Sequence, residues 1–129
     1  MAFVTKTARL RTNADGDGAA SIRVRGILHA IDVKKGTLAS GAADITIKDQ
    51  PSNVTILTLT NVAADARHYP SAQHTNATGT ARESGTIPDG NGGVKVGSFR
   101  APVVFGYAHI TVAQGGDTKE GSVTLLIER

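Results

Sequence analysis

HITVAQGGDTKEGSVTLLIE, from His109 to Glu128, is the stretch on which the reading of the fold turns. Ile110 and Val112 alternate with Thr111 and Ala113; further on, Val123, Leu125 and Ile127 alternate with Thr124, Leu126 and Glu128. Side chains two residues apart share one face of a strand, so each run reads as a half-buried strand with its aliphatic set inward. The connecting QGGDTKEG is polar and carries Gly115, Gly116 and Gly121, residues that tolerate positive φ. Two such strands with a glycine-rich connection predict a hairpin, although its loop exceeds the two-residue optimum. A lone hairpin is marginal in water, so the rest of the chain has to supply partners.

Working outward, the same period of two recurs. Phe3 to Leu10 places Phe3, Thr5, Thr7 and Arg9 on alternate positions. Residues 1–12 therefore read as a first strand or an extended N-terminal arm, and the thin apolar set suggests support from a neighbouring subunit. Asn13-Ala-Asp15-Gly-Asp17-Gly18 is a strong turn signal. Ser21 to Val33 reads as one long strand, with Ile22 and Val24 inward and Arg23 and Arg25 outward. Beyond Gly26 the parity breaks, because Ile27 and Ile31 fall in step with the arginines; a bulge or sharp bend at Gly26 would restore the apolar face. Ala43–Lys48 and Val54–Asn61, joined by the turn Gln50-Pro51-Ser52-Asn53, predict a second hairpin. From Val62 to Gly93 the strand signal fades. Thirty structureless residues are improbable in a compact domain, so short strands are expected there, one over Gln73–Thr78, beside one long functional loop. Val94–Val96 and Val103–Tyr107 then lead into the C-terminal pair. The only helix-friendly patch is VAADAR, Val62–Arg67, worth one or two turns at most. Short strands at regular spacing predict an all-β antiparallel sandwich or small barrel, with residues 13–129 as a single domain.

Composition agrees. The 129 residues suffice for about one domain. Only five residues are aromatic and none is Trp, so the core has to be built from Val, Ile, Leu and Ala. Cysteine is absent, which excludes disulfides, cysteine nucleophiles and thiolate metal sites, and fits assembly in a reducing cytoplasm. There is no apolar run long enough for a membrane span, and MAFVTKTARLR carries charges where a secretory leader needs an unbroken apolar run. The net charge of +3 is uneven: residues 1–35 hold seven basic and three acidic side chains, or +4, and the remainder seven basic and eight acidic, or −1. A basic first third suits nucleic acid, an acidic protein surface, or simply a solvated strand face.

Catalytic patterns are missing. His29, His68, His74 and His109 lie at none of the spacings of a metal motif, although His68 and His74 could approach across a loop. The Asn13–Gly18 turn lacks the downstream glutamate of a calcium loop. No G-x-S-x-G elbow occurs, and Gly90–Gly93 lacks the Lys-Ser/Thr of a phosphate loop. Asn53-Val-Thr55 and Asn76-Ala-Thr78 match a glycosylation acceptor without a secretory signal to go with it. No cofactor, metal or enzymatic activity is expected. The most loaded polar segment is Arg67-His68-Tyr69-Pro70, since Tyr and Arg anchor protein interfaces. It reads equally as a turn with Tyr69 over a sheet edge.

Three features together resemble a group of small tailed-bacteriophage virion proteins. They are Gly26-Ile-Leu-His-Ala-Ile31 with Gly36 after it; Tyr69-Pro70 following Leu59-Thr60-Asn61; and Val112-Ala-Gln-Gly-Gly116 followed by Lys119-Glu-Gly121 and the last strand. The resemblance covers about residues 26–129. One departure is Ser71, where a basic residue would be expected after the Tyr-Pro step. The resemblance implies a cement or decoration protein on the capsid surface of the virion, of jelly-roll type, assembled in the host cytoplasm. Its partner would be the major capsid protein, with self-association as a dimer or trimer and no membrane or nucleic-acid contact. Contacts would come from the arm, with Phe3, Arg9 and Arg11, and from Arg67, His68 and Tyr69, while Arg23 and Arg25 would meet acidic residues of the shell. A tail, neck or baseplate component is the alternative, as is a carbohydrate-binding module, which the scarcity of aromatics disfavours.

Overall fold

The computed structural model describes residues 2–73, 83–87, 94–97, 99–104 and 106–129, and every regular element among them is a strand. The chain divides into two compact units, Met1–Pro70 with Pro102–Arg129, and Ser71–Ala101. The first contains β1 (Phe3–Arg11), β2 (Gly18–Arg23), β3 (Gly26–Lys34), β4 (Ala43–Gln50), β5 (Val54–Val62) and β6 (Ala66–His68). The second contains β7 (Ala72–Gln73), β8 (Glu83–Ile87), β9 (Val94–Gly97) and β10 (Phe99–Arg100). The chain then returns to the first unit with β11 (Val103–Val104), β12 (Tyr107–Ala113) and β13 (Glu120–Glu128). In the second unit β7 pairs with β10 and β8 with β9.

The first unit is a sandwich of two antiparallel sheets. One runs β1-β13-β3, with β6 and β11 both pairing along the far side of β3; the other runs β2-β12-β4-β5. The pairs β1·β13, β2·β12, β3·β6 and β4·β5 are those of one long antiparallel ribbon of eight strands. The further pairs β13·β3 and β12·β4 close that ribbon into two sheets. Leu10, Leu28, Ile31, Val33, Val123, Leu125 and Ile127 from one sheet meet Ile45, Ile47, Ala108, Ile110 and Val112 from the other. This core is aliphatic, as the composition required.

The C-terminal strands form with the expected inward sets, but they do not form a hairpin. Tyr107–Ala113 pairs with β2 and β4, whereas Glu120–Glu128 pairs with β1 and β3 in the opposite sheet. A strand with one buried face shows the same alternation in either sheet, so periodicity cannot tell a hairpin from a crossing. Sheets lie about 10 Å apart, a gap that a long polar connection spans and a two-residue turn does not. Thr12 anchors the crossing. It is 3% exposed, its N–H donates to the Lys119 carbonyl at 2.9 Å, and its Oγ1 accepts from the Lys119 N–H at 2.8 Å while donating to the Gly116 carbonyl. Gly115 fits beneath because it has no side chain; a Cβ there would lie 2.8 Å from Thr12 Cγ2.

Ser21–Val33 is likewise two strands in different sheets rather than one. The bend falls at Gly26, whose φ of 136° suits glycine and whose added Cβ would meet the Glu128 carbonyl oxygen at 2.3 Å. Val24 is buried at the crossing, between the exposed Arg23 and Arg25. The predicted hairpin of β4 and β5 is present, with two register shifts. VAADAR makes no helix, since Val62 ends β5 and Ala66 opens β6. Phe3–Arg11 is no free arm: all nine residues pair with β13. Val103–Val104 pairs with β3 instead of running on into β12. Of the strand expected over Gln73–Thr78, only Gln73 is described; His74, Asn76–Thr78 and Gly90–Gly93 lie outside the described residues.

Candidate interaction surface

Strand parity decides which of the singled-out residues meet. On β1 the inward set is Val4, Lys6, Ala8 and Leu10, so Phe3, Thr5, Thr7, Arg9 and Arg11 point outward and are exposed. Pairing sets these residues in rows across the outer face of the first sheet. Arg11 lies opposite Glu120, and Arg9 opposite Ser122, which in turn faces Lys34. Thr7 lies opposite Thr124, their hydroxyls 2.9 Å apart, and the row continues through Asp32 to Arg67. Thr5 lies opposite Leu126 and then Ala30. At the end of the sheet, Phe3 lies opposite Glu128; its ring sits 5.7 Å from that of His29, which is 2.9 Å from the Glu128 carboxylate. Phe3, Arg9, Arg11 and Arg67 therefore share one face.

Arg67 is held there by a fork of two bonds to Asp32, Nε to Oδ1 and Nη2 to Oδ2, the latter at 2.9 Å. This contact depresses the Asp32 carboxyl below its ordinary value of 3.8, aided by the charges of Arg67 and Lys34 and opposed by desolvation. Asp32, and after it the Tyr69 hydroxyl, raise the Arg67 guanidinium further above its already high value. The charge of Arg67 is thus answered within the chain. Phe3, on the edge strand β1, is 57% exposed, and Tyr69, just past β6 beyond the other edge of β3, is 71% exposed. His68, between two outward neighbours, turns the other way: it is half-buried and lines an apolar groove with Val33, Leu59 and Val62.

Arg23 and Arg25 lie elsewhere. With Lys6, Gly26 and Arg129 they line a cleft of about 560 Å³. β1 and β2 are the outermost strands of their sheets, and Lys6 reaches from one to the other, its Nζ donating to the Arg23 carbonyl at 2.7 Å. No acidic side chain is among the described lining residues, and among the described residues none of these four cationic side chains makes a salt bridge. Lys6 and Arg129 were not singled out in the sequence. A signal for Lys6 existed, a charge in step with Val4, Ala8 and Leu10; none existed for Arg129, which joins through register alone. Asp32 as the partner of Arg67 was equally invisible, because 35 residues separate them.

Among the described residues no three His, Asp or Glu side chains gather as metal ligands would. Among the described residues no helix is long and apolar enough to cross a membrane. Comparison of the chain with protein-family models, curated proteins and solved structures gives no match.

Proposed function

We propose that this chain is a non-enzymatic structural protein of a tailed-phage particle, a cement or decoration protein that binds across and stabilises the shell of major capsid protein. The observation that carries the reading is the outer face of the first sheet. It is broad and threonine-rich, it holds Arg9 and Arg11, and it is flanked by exposed Phe3 and Tyr69. Aromatic and arginine side chains are those that interfaces use as anchors. The eight-stranded ribbon pairing supports the jelly-roll form that the sequence resemblance implies, an architecture recurrent in capsid proteins.

A protein that binds the assembled lattice and not its separated subunits stabilises the lattice by mass action, about 2.7 kcal/mol per site at a hundredfold excess over Kd. Self-association as a dimer or trimer would match the symmetry of such a lattice. The partner is protein, with no membrane and no nucleic acid involved. A sugar-binding role is less well supported: Phe3 and Tyr69 are separated by the full width of the sheet, and Tyr107 lies in the other sheet. Stacking platforms for sugars need aromatics within reach of one ligand.

Copy number in purified particles tests the reading. Quantitative mass spectrometry should give a number comparable with the major capsid protein. A handful of copies would move the chain to the neck, tail or baseplate, and absence from the particle would refute a virion role. Arg9→Ala with Arg11→Ala should weaken co-sedimentation with shells lacking the protein; unchanged binding would remove this face from the contact.

A further inference from the structure

We infer that the cleft between β1 and the β2–β3 crossing is a binding site for an extended acidic peptide segment, its carboxylates received by Lys6, Arg23, Arg25 and Arg129. It goes beyond the virion reading, which places the contact on the face of Arg9 and Arg11; it rests only on the geometry of the cleft, and its test needs no particle. Four cationic side chains from three separate parts of the chain converge there with no acidic side chain among the described lining residues. Arg67, by contrast, has its carboxylate partner within the chain, Asp32. A cleft of about 560 Å³ is of the size that holds a ligand rather than a single ion.

The chemistry selects carboxylates on a chain. A guanidinium presents a planar fork that matches a carboxylate in two parallel bonds. The cleft runs between two edge strands, and a strand edge offers backbone groups to an extended segment laid beside it. Single-stranded nucleic acid would supply anions too, but such sites pair the basic groove with stacking aromatics. None of the described lining residues is aromatic. Gly26 forms part of the wall, so the bend that carries the chain between sheets also sets Arg25 at the mouth.

The test is fluorescence anisotropy of the full chain with a labelled hexaglutamate peptide, a hexaglutamine control and a six-nucleotide oligothymidylate. Hexaglutamate should bind and hexaglutamine should not, with affinity falling as salt is added. Arg23→Gln with Arg25→Gln should cost about tenfold per arginine, and Lys6→Met should weaken binding in the same direction. Both arginines are exposed, so the double variant keeps its fold, which its thermal transition checks. Arg9→Gln with Arg11→Gln, on the other face, should bind as the parent does. Equal binding by the Arg23/Arg25 variant, no binding of hexaglutamate, or tighter binding of the oligonucleotide would each overturn the inference, the last in favour of nucleic acid. Shell binding that fails while hexaglutamate binding holds would refute the virion reading and leave the cleft standing.

Discussion

Replacing Thr12 with Val should loosen the connection that carries the chain from one sheet to the other. The two side chains have nearly the same shape, so the substitution exchanges a hydroxyl for a methyl and leaves the Cγ2 contact with Gly115. Two hydrogen bonds are lost, one accepted from the Lys119 N–H and one donated to the Gly116 carbonyl. Each contributes about 0.5–1.5 kcal/mol net, and more if the abandoned backbone group stays out of water. Against this, burying one more methyl returns about 0.8 kcal/mol. At the middle of that range the balance is a loss of about 1 kcal/mol, rising to about 2 kcal/mol at its top. For a chain of this size that lowers Tm by roughly 4–8 °C, and urea denaturation should show a lower midpoint at unchanged slope. Thr12→Ser, which keeps both bonds, should regain most of the loss. A Tm for Thr12→Val within about 1 °C of the parent would show that the hydroxyl does not hold the crossing.

The bend at Gly26 is the next target: Gly26→Ala combines a left-handed backbone with a Cβ 2.3 Å from the Glu128 carbonyl, and should cost about 2–4 kcal/mol by chemical denaturation. Leu125→Ala, at a fully buried position facing the second sheet, should cost about 2–5 kcal/mol in the same assay. The Asp32–Arg67 tie has a defined pH sign. A carboxyl depressed in the folded state stabilises above its unfolded value of 3.8 and ceases to do so as pH falls through the lower folded value. Amide exchange of Ala66–His68, corrected for intrinsic rates, should therefore accelerate below about pH 3.8, and Asp32→Asn should abolish that step. Finally, added salt should slightly raise the stability of the isolated protein by screening its clustered cations, while weakening hexaglutamate binding; equal signs for the two effects would contradict the cleft's electrostatics.

Inward and outward assignments were legible wherever a strand kept strict alternation. Val123, Leu125 and Ile127 are buried as read, and so are Ile45 and Ile47. Sheet membership was not legible, because the core presents the same apolar environment to a strand from either side. That is why the C-terminal pair read as a hairpin and Ser21–Val33 as one strand. The break of parity at Gly26 did mark the place of the crossing, read there as a bulge or sharp bend within one strand. At the candidate surface, parity applied to Arg67-His68-Tyr69 would have sent His68 inward. The pairing of Arg67 with Asp32 needed the register of β6 on β3, which no local pattern encodes.

The two flanks of the sandwich differ in a way that bears on function. An edge strand invites pairing by other chains, and an inward charge is one means of discouraging it. Lys6 on β1 serves that end against any segment that brings no carboxylate to meet it, reinforced outward by Arg9 and Arg11. On the opposite flank β5, VTILTLTNV, has no charged residue in its nine positions. Guarding an edge needs one inward charge, and Lys6 supplies it. Guarding does not require Arg23 and Arg25 to emerge at the same place from a sheet crossing, nor Arg129 to join them. Like charges held together repel, and that repulsion opposes folding unless an anion answers it. The first third of the chain is basic, therefore, in more than composition: the crossing at Gly26 and the pairing of β1 gather part of that charge where an acidic partner could neutralise it.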